Sequence, residues 1–291
     1  MQEIYFKKLN LDVNEKKHSF FSLNEEYLVV VLQSEIDTNE YVNNLYIYHI
    51  KEERMYCEYS VTTAEQITSV LKCKDAYLLI FDKEYEDGVI DETPNAYFWD
   101  PVKGFYKSFY AGRYINSIKI DNDQNIWIGY DEMGIFSMID GELSEKGFNR
   151  FDSTCRIKPV LDKEKPHPID HYYDSFVTGS YVYLFYNVVG EKILKKIDLE
   201  LDKVVETRKI NLDLGAICEH KSSLYLFVWD SLNYEISKAL KTNDFVNYLE
   251  LRLLDLQTNE KIVFTDITSH NNIIAGLDDY NNIYIGKITE D

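Results

Sequence analysis

Short runs that alternate apolar and polar residues, each bounded by Asn, Asp, Gly or Ser, recur along the whole chain and predict β-strands. No long segment carries apolar residues at i, i+3, i+4 and i+7, so helices are expected to be few. Six times a short turn leads into a β-rich run with an aromatic or branched residue in the same register. The clearest pair is IKIDNDQNIWIG (118–129) and AGLDDYNNIYIG (275–286), which align without a gap. Trp127 then matches Tyr284 and Gly129 matches Gly286, while Tyr225, Tyr183, Leu78 and Val29 mark weaker copies. Successive spacings from Val29 are 49, 49, 56, 42 and 59 residues, a mean of 51. A repeat of roughly 40 to 50 residues built from short strands predicts a β-propeller.

Each unit divides into about four strands, a to d from the axis outward. The first takes 19–23, 27–33, 44–50 and 55–61, and the second 67–72, 77–82, 96–100 and 105–110. The third takes 115–120, 126–130, 134–139 and 148–151, and the fourth 175–178, 181–186, 192–199 and 204–210. The fifth takes 216–220, 224–229, 234–240 and 248–254. The sixth stops after its second strand, 282–287, while a surplus strand, 3–9, precedes the first unit. Pairing those two strands closes the ring and covers both edges. The expected fold is therefore all-β, a six-bladed β-propeller whose last blade is completed by the N-terminal strand, with 1–291 as a single domain. The stretch 244–265 parses poorly and leaves five or seven blades open.

This strand order sorts the connections by face. The a–b turns are short, whereas the b–c and d–a connections include every long loop, and long loops on a rigid scaffold are where binding usually sits. On that face the sequence places Glu35, Asp37, Glu40 and Tyr41, then Glu84, Tyr85, Glu86, Asp87, Asp91 and Glu92. Tyr130, Asp131 and Glu132 follow, with Trp229, Asp230 and Tyr234 in the fifth unit. The long connection 152–174 adds Asp170, Tyr172, Tyr173 and Asp174. Acids interleaved with aromatics suit a partner bearing Arg and Lys, through charge pairing and cation–π contact.

Charge sharpens this expectation. Thirty-one basic against 50 acidic residues give a net −19, which argues against a nucleic-acid backbone and permits a basic protein partner. No run approaches the ~20 apolar residues of a membrane helix, and the first residues lack the pattern of a signal peptide. Cys57, Cys73, Cys155 and Cys218 have no CxxC spacing, so reduced thiols and a cytoplasmic setting are expected.

Candidate chemistry is sparse. His167, Asp170, His171 and Asp174 are metal-ligand types within eight residues but match no closed metal motif. Asp121, Asp123 and Asn125 alternate like the start of a calcium loop, without its later Gly and Glu, and a polar turn is the expected reading. Cys218 and His220 share one side of a predicted strand, a thin catalytic signal. Trp127 and Tyr284 are expected in the core between blades. No cofactor motif is present.

The run 118–139 resembles the propeller repeats in sensor regions of two-component regulators: an Asp turn, WxG, then a Gly-hydrophobic-Phe strand. The matching residues are Asp121, Trp127, Gly129, Gly134, Ile135 and Phe136. That resemblance implies the fold and a binding role. The Asp turn followed by a Trp strand is also similar to lactone-hydrolysing six-bladed propellers, but their Glu-Gly-Pro motif is missing and no ligand transfers. The resulting expectation is a non-enzymatic module that binds a basic protein, an immunity or antitoxin-like factor being one concrete form. The alternative is a metal-dependent hydrolase or lyase with its site in the central channel.

Overall fold

The computed structural model describes residues 2–10, 18–37, 40–82, 92–136, 141–158, 169, 171–221 and 223–289. Alternation becomes strand almost throughout. The first sheet is β1-independent and meanders through β2 (His18–Leu23), β3 (Tyr27–Asp37), β4 (Glu40–His49) and β5 (Arg54–Thr63), where β1 is Gln2–Lys8. The second is β6 (Ile67–Cys73), β7 (Ala76–Phe81), β8 (Ala96–Asp100) and β9 (Gly104–Phe109). The third is β10 (Ile115–Ile120), β11 (Ile126–Tyr130), β12 (Phe148–Phe151) and β13 (Ile157–Lys158). Each is antiparallel in sequence order.

The remaining strands form one mixed sheet of twelve. They are β14 (His171–Thr178), β15 (Tyr181–Val188), β16 (Glu191–Asp198), β17 (Lys203–Lys209), β18 (Leu214–His220) and β19 (Ser223–Asp230). After them come β20 (Glu235–Thr242), β21 (Leu249–Asp255), β22 (Asp266–His270), β23 (Ile273–Leu277) and β24 (Ile283–Lys287), with β1 as the twelfth member. Three antiparallel runs, β14–β17, β18–β21 and β22–β24 with β1, are stitched by two parallel contacts. One is the single pair Val177 with His270; the other aligns Gln2–Phe6 of β1 with Leu251–Asp255 of β21. β1 also pairs antiparallel with β24, Phe6 facing Gly286. The N-terminal strand thus completes the last run, as expected.

The core lies between sheets, and period two decides which residue goes where. Val29 and Val31 of β3 pack against Val70, Tyr77 and Leu79 of the second sheet. Leu28, Val30 and Leu32 turn the other way and pack against Ile273, Ala275 and Ile283 of β23 and β24. The first sheet therefore wedges between the second and the last, and the stack closes on itself. The fold is a β-propeller. Buried aliphatic side chains at alternate positions of one strand hold two interfaces at once, each removing ~25 cal/mol per Å² of apolar surface from water.

Three expectations are corrected. The third strand of the third sheet, expected at 134–139, is β12 instead: Asp131 caps a short helix, α1 (Glu132–Ile135), its carboxylate accepting from the Gly134 amide, and 137–139 lie outside the described residues. An Asp at the cap position outweighs the strand preference of Ile135 and Phe136. The segment after Gln33 is not a loop either, because β3 and β4 continue as a long hairpin with Glu35 opposite Tyr41. Finally, Tyr284 lies on the third strand of its run, not the second. The register-equivalent of Trp127 there is Ile274, 49 residues after Tyr225.

Candidate functional site

At the end bearing the long connections, two described members of the expected acidic rim are core residues and several others are tied to the protein by hydrogen bonds or packing. Tyr130 and Tyr172 are fully buried. The Tyr130 hydroxyl donates to the Ala111 carbonyl at 2.6 Å, and Tyr172 fills the space over Gly129. They are core residues, not contact residues. Tyr172, Tyr173 and Asp174 belong to β14 rather than to a loop, and the Tyr173 ring stacks on Phe185 with centroids 4.6 Å apart. Asp131 caps α1, exposed Glu132 pairs with His171 Nδ1 at 3.2 Å, and Asp230 accepts from the Leu232 amide in its own turn. Trp229 is half-buried against the core, and its main chain donates to the Asp213 carbonyl. Glu84, Tyr85, Glu86, Asp87, His167 and Asp170 lie outside the described residues.

That end also presents apolar groups. Each described b–c connection carries an exposed hydrophobic side chain: Ile36 on β3–β4, Met133 and Phe136 at α1, and Val189 on β15–β16. Leu232 and Tyr234 do so on β19–β20, and Tyr280 on β23–β24. At the opposite end the a–b turns are polar, as at Asn24–Glu26, Lys74–Asp75 and Asn122–Gln124, while the c–d turns expose Val102, Leu201 and Val246.

The remaining chemical candidates have structural partners. The Asp121 carboxylate accepts from the Asn125 amide (2.8 Å), the Asn125 side chain (2.9 Å) and Trp127 Nε1 (2.9 Å), which leaves it no role as a calcium ligand. Cys218 is fully buried, burial pushes its thiol up, and its Sγ lies 3.7 Å from the Ile273 carbonyl, so it is not an activated nucleophile. Among the described residues no three His, Cys, Asp or Glu side chains group as a metal site. No helix among them is long and apolar enough to cross a membrane.

The axis holds a site that sequence reading missed. A cavity of about 250 Å³ is walled by the innermost strands β2, β6, β10, β14 and β22. Further along β14 and β22, towards the a–b turns, Val177 pairs with His270, and the Asn271 amide donates to the Val177 carbonyl at 2.8 Å. Along β22 the residues Asp266, Thr268 and His270 alternate, which turns them to one side of the strand. Lys119 of β10 reaches Thr268 Oγ1 at 3.0 Å and Asp174 Oδ2 at 3.5 Å. Bulges at Ile115/Ser117 and Tyr172/Asp174 turn β10 and β14 locally and set this approach. Asp266 accepts from its neighbour's amide, Ile267 N, at 2.8 Å. Water reaches its carboxyl through the cavity, yet the surrounding wall of protein desolvates it and raises its pKa, with Lys119 opposing. The signal available in sequence was a charged residue interrupting an innermost strand, as Lys119 and Asp266 do.

His270, the last residue of β22, is buried at 3% exposed, with Nε2 unpartnered among the described residues. Burial lowers its pKa to about 4, so it is neutral at pH 7. A histidine in the unfolded chain titrates near 6.5. Its contribution is therefore complete above about pH 6.5 and is lost as pH falls towards 4, about 3 kcal/mol in all. His270→Gln is expected to flatten that part of the acid limb. Urea melts at pH 7 and pH 4.5 check it; equal losses in both proteins would assign the slope elsewhere.

No family model matches the chain, and no curated protein matches it. Solved structures do. Hydrazine synthase of Kuenenia stuttgartiensis aligns over 97% of this chain and 98% of its own, at 10% identity and TM-score 0.50. Hsv2 of Kluyvelomyces marxianus aligns over 94% and 78%, at 10% identity and TM-score 0.51. The WD40 domain of Toxoplasma gondii coronin aligns over 100% and 88%, at 11% identity and TM-score 0.49. At such identities the likeness concerns the fold.

Proposed function

We propose that this chain is one six-bladed domain that binds a protein through the end bearing its b–c connections. The blade count is supported by the innermost strands: β2 packs on β6, β6 on β10, β10 on β14, β14 on β18, β18 on β22 and β22 on β2. The docking reading rests on the exposed apolar side chains at every described b–c connection, against polar a–b turns. Exposed hydrophobic groups on the connections of a rigid scaffold favour a protein interface, and the b–c connections carry more of them than the c–d turns at the other end, where Val102, Leu201 and Val246 are exposed. The net charge of −19, with Glu35, Glu132, Asp230 and Asp279 beside those groups, favours a partner with a basic periphery.

Substituting Phe136→Asp, Leu232→Asp or Tyr234→Asp changes exposed side chains and leaves folding intact. Each is expected to weaken partner binding by about tenfold or more where it meets a buried centre of the interface. Lys74→Glu and Asn122→Asp at the a–b end are expected to leave it unchanged. Surface-resonance titrations of the captured partner against all five variants decide the matter. Loss with the a–b variants and retention with the others would place the interface at the wrong end.

A further inference from the structure

The axial cavity offers hydrogen-bond acceptors and a single uncommitted charge. Lys119 is already engaged by Asp174 and Thr268. Asn116 gives both protons of its amide nitrogen to the Tyr172 and Tyr173 carbonyls, each at 2.9 Å, which leaves Oδ1 as an acceptor. Thr68 directs its hydroxyl towards the Ile80 carbonyl at 3.4 Å, so its oxygen also has room to accept. Asp266 has no cation within ion-pair distance among the described residues; its hydrogen bond comes from an adjacent main-chain amide. With Lys119 balanced by Asp174, the cavity carries about one negative charge when Asp266 is ionised.

We propose that this cavity binds a small organic ammonium ion, with Asp266 as its counter-ion and Asn116 and Thr68 accepting its protons. Asp266 stands exposed where β22 begins, at the rim of the cavity, with its charge open to a bound cation. A primary ammonium has three donors and no acceptor, the complement of what this wall presents. A divalent metal fits less well, because Lys119 holds Asp174 and no third carboxylate or imidazole joins them among the described residues. The volume of about 250 Å³ lies just below the usual range of ligand pockets, which restricts the occupant to a few carbon atoms. Entry is from the side of the b–c and d–a connections, where β22 begins at the exposed Asp266.

The test is isothermal titration of the full chain with 1,4-diaminobutane, its neutral isostere 1,4-butanediol, and calcium chloride. The diamine is expected to bind saturably at one site, and the diol and calcium are not. Asp266→Asn is expected to weaken diamine binding by at least about tenfold, the loss of a charge-assisted contact. That variant should fold, because Asp266 is exposed and its hydrogen bond is to a main-chain amide. Its thermal melt checks this and is expected to match the parent's at pH 7. Glu250→Gln, on the exposed face of β21, serves as the control and should bind as the parent does. Equal binding of the diol, equal binding by the Asp266→Asn protein, calcium binding that needs Asp266, or no saturable diamine binding at all would each overturn the proposal.

Discussion

Replacing Gly129 with alanine is expected to destabilise the protein by about 3 kcal/mol, at the upper end of the range for overpacking a core. A β-carbon at this position would stand 1.8 Å from Tyr172 Cε1 and 2.0 Å from Cδ1. Neither side can yield easily. Gly129 is in the middle of the ladder between β10 and β12, and Tyr172 is fully buried on β14 with Phe148 6.0 Å away. The glycine is therefore needed for the close approach of one sheet's second strand to the next sheet's first, not for backbone freedom. Urea denaturation of Gly129→Ala, Tyr172→Leu and the double variant measures the effect. The double variant should recover much of the loss relative to the sum of the singles; strict additivity would show that the ring is not what the glycine makes room for.

Asp121→Ala is expected to cost about 3 kcal/mol, whereas Asp278→Ala should cost about 1. The two turns are nearly superimposable in their bonding. In each, the Asp amide donates to an Asn carbonyl four residues on, and the residue at left-handed φ is Gln124 (65°) or Asn281 (59°). Their surroundings differ. Asp121 is 1% exposed and satisfies Trp127 Nε1 and the buried Asn125, so its loss strands two buried donors. Asp278 is half-exposed, water can replace it, and its contact to the Tyr284 hydroxyl is long at 3.4 Å. Denaturation midpoints of the two variants give the comparison directly. Equal costs would mean that turn geometry, and not burial of the donors, sets the energy.

The same pair shows where the fold was legible and where it was not. A hairpin with an Asp–Asn turn is written in five or six adjacent residues, so it stands out in the sequence. Which two strands it joins is decided by distant partners. The matched turns consequently sit at opposite ends of the propeller, one between β10 and β11 and the other between β23 and β24. Strands whose alternation is internally consistent, such as β10, β11 and β8, agree with expectation to the residue. α1 does not, because one cap at Asp131 outweighs a locally strand-like run. The axial cavity is the extreme case. Lys119 and Thr268 are 149 residues apart, and nothing local to either announces the other. Tyr130 and Tyr172 failed as surface aromatics for the converse reason: a tyrosine in a core strand and one in a loop look alike until the neighbouring sheet is known.

The position of β1, between β24 and β21, also bears on how the molecule is made. Synthesis delivers Phe6 first and its partner Gly286 about 280 residues later. At ~5–20 residues per second that interval is roughly 15–60 s. For most of it β1 has neither neighbour, because β21 ends only about 30 residues before Gly286, and a free strand edge is a template for mispairing with another chain. Molecules on one polysome are therefore exposed to swapping β1, and a factor that shields such an edge during translation has its largest effect on this segment.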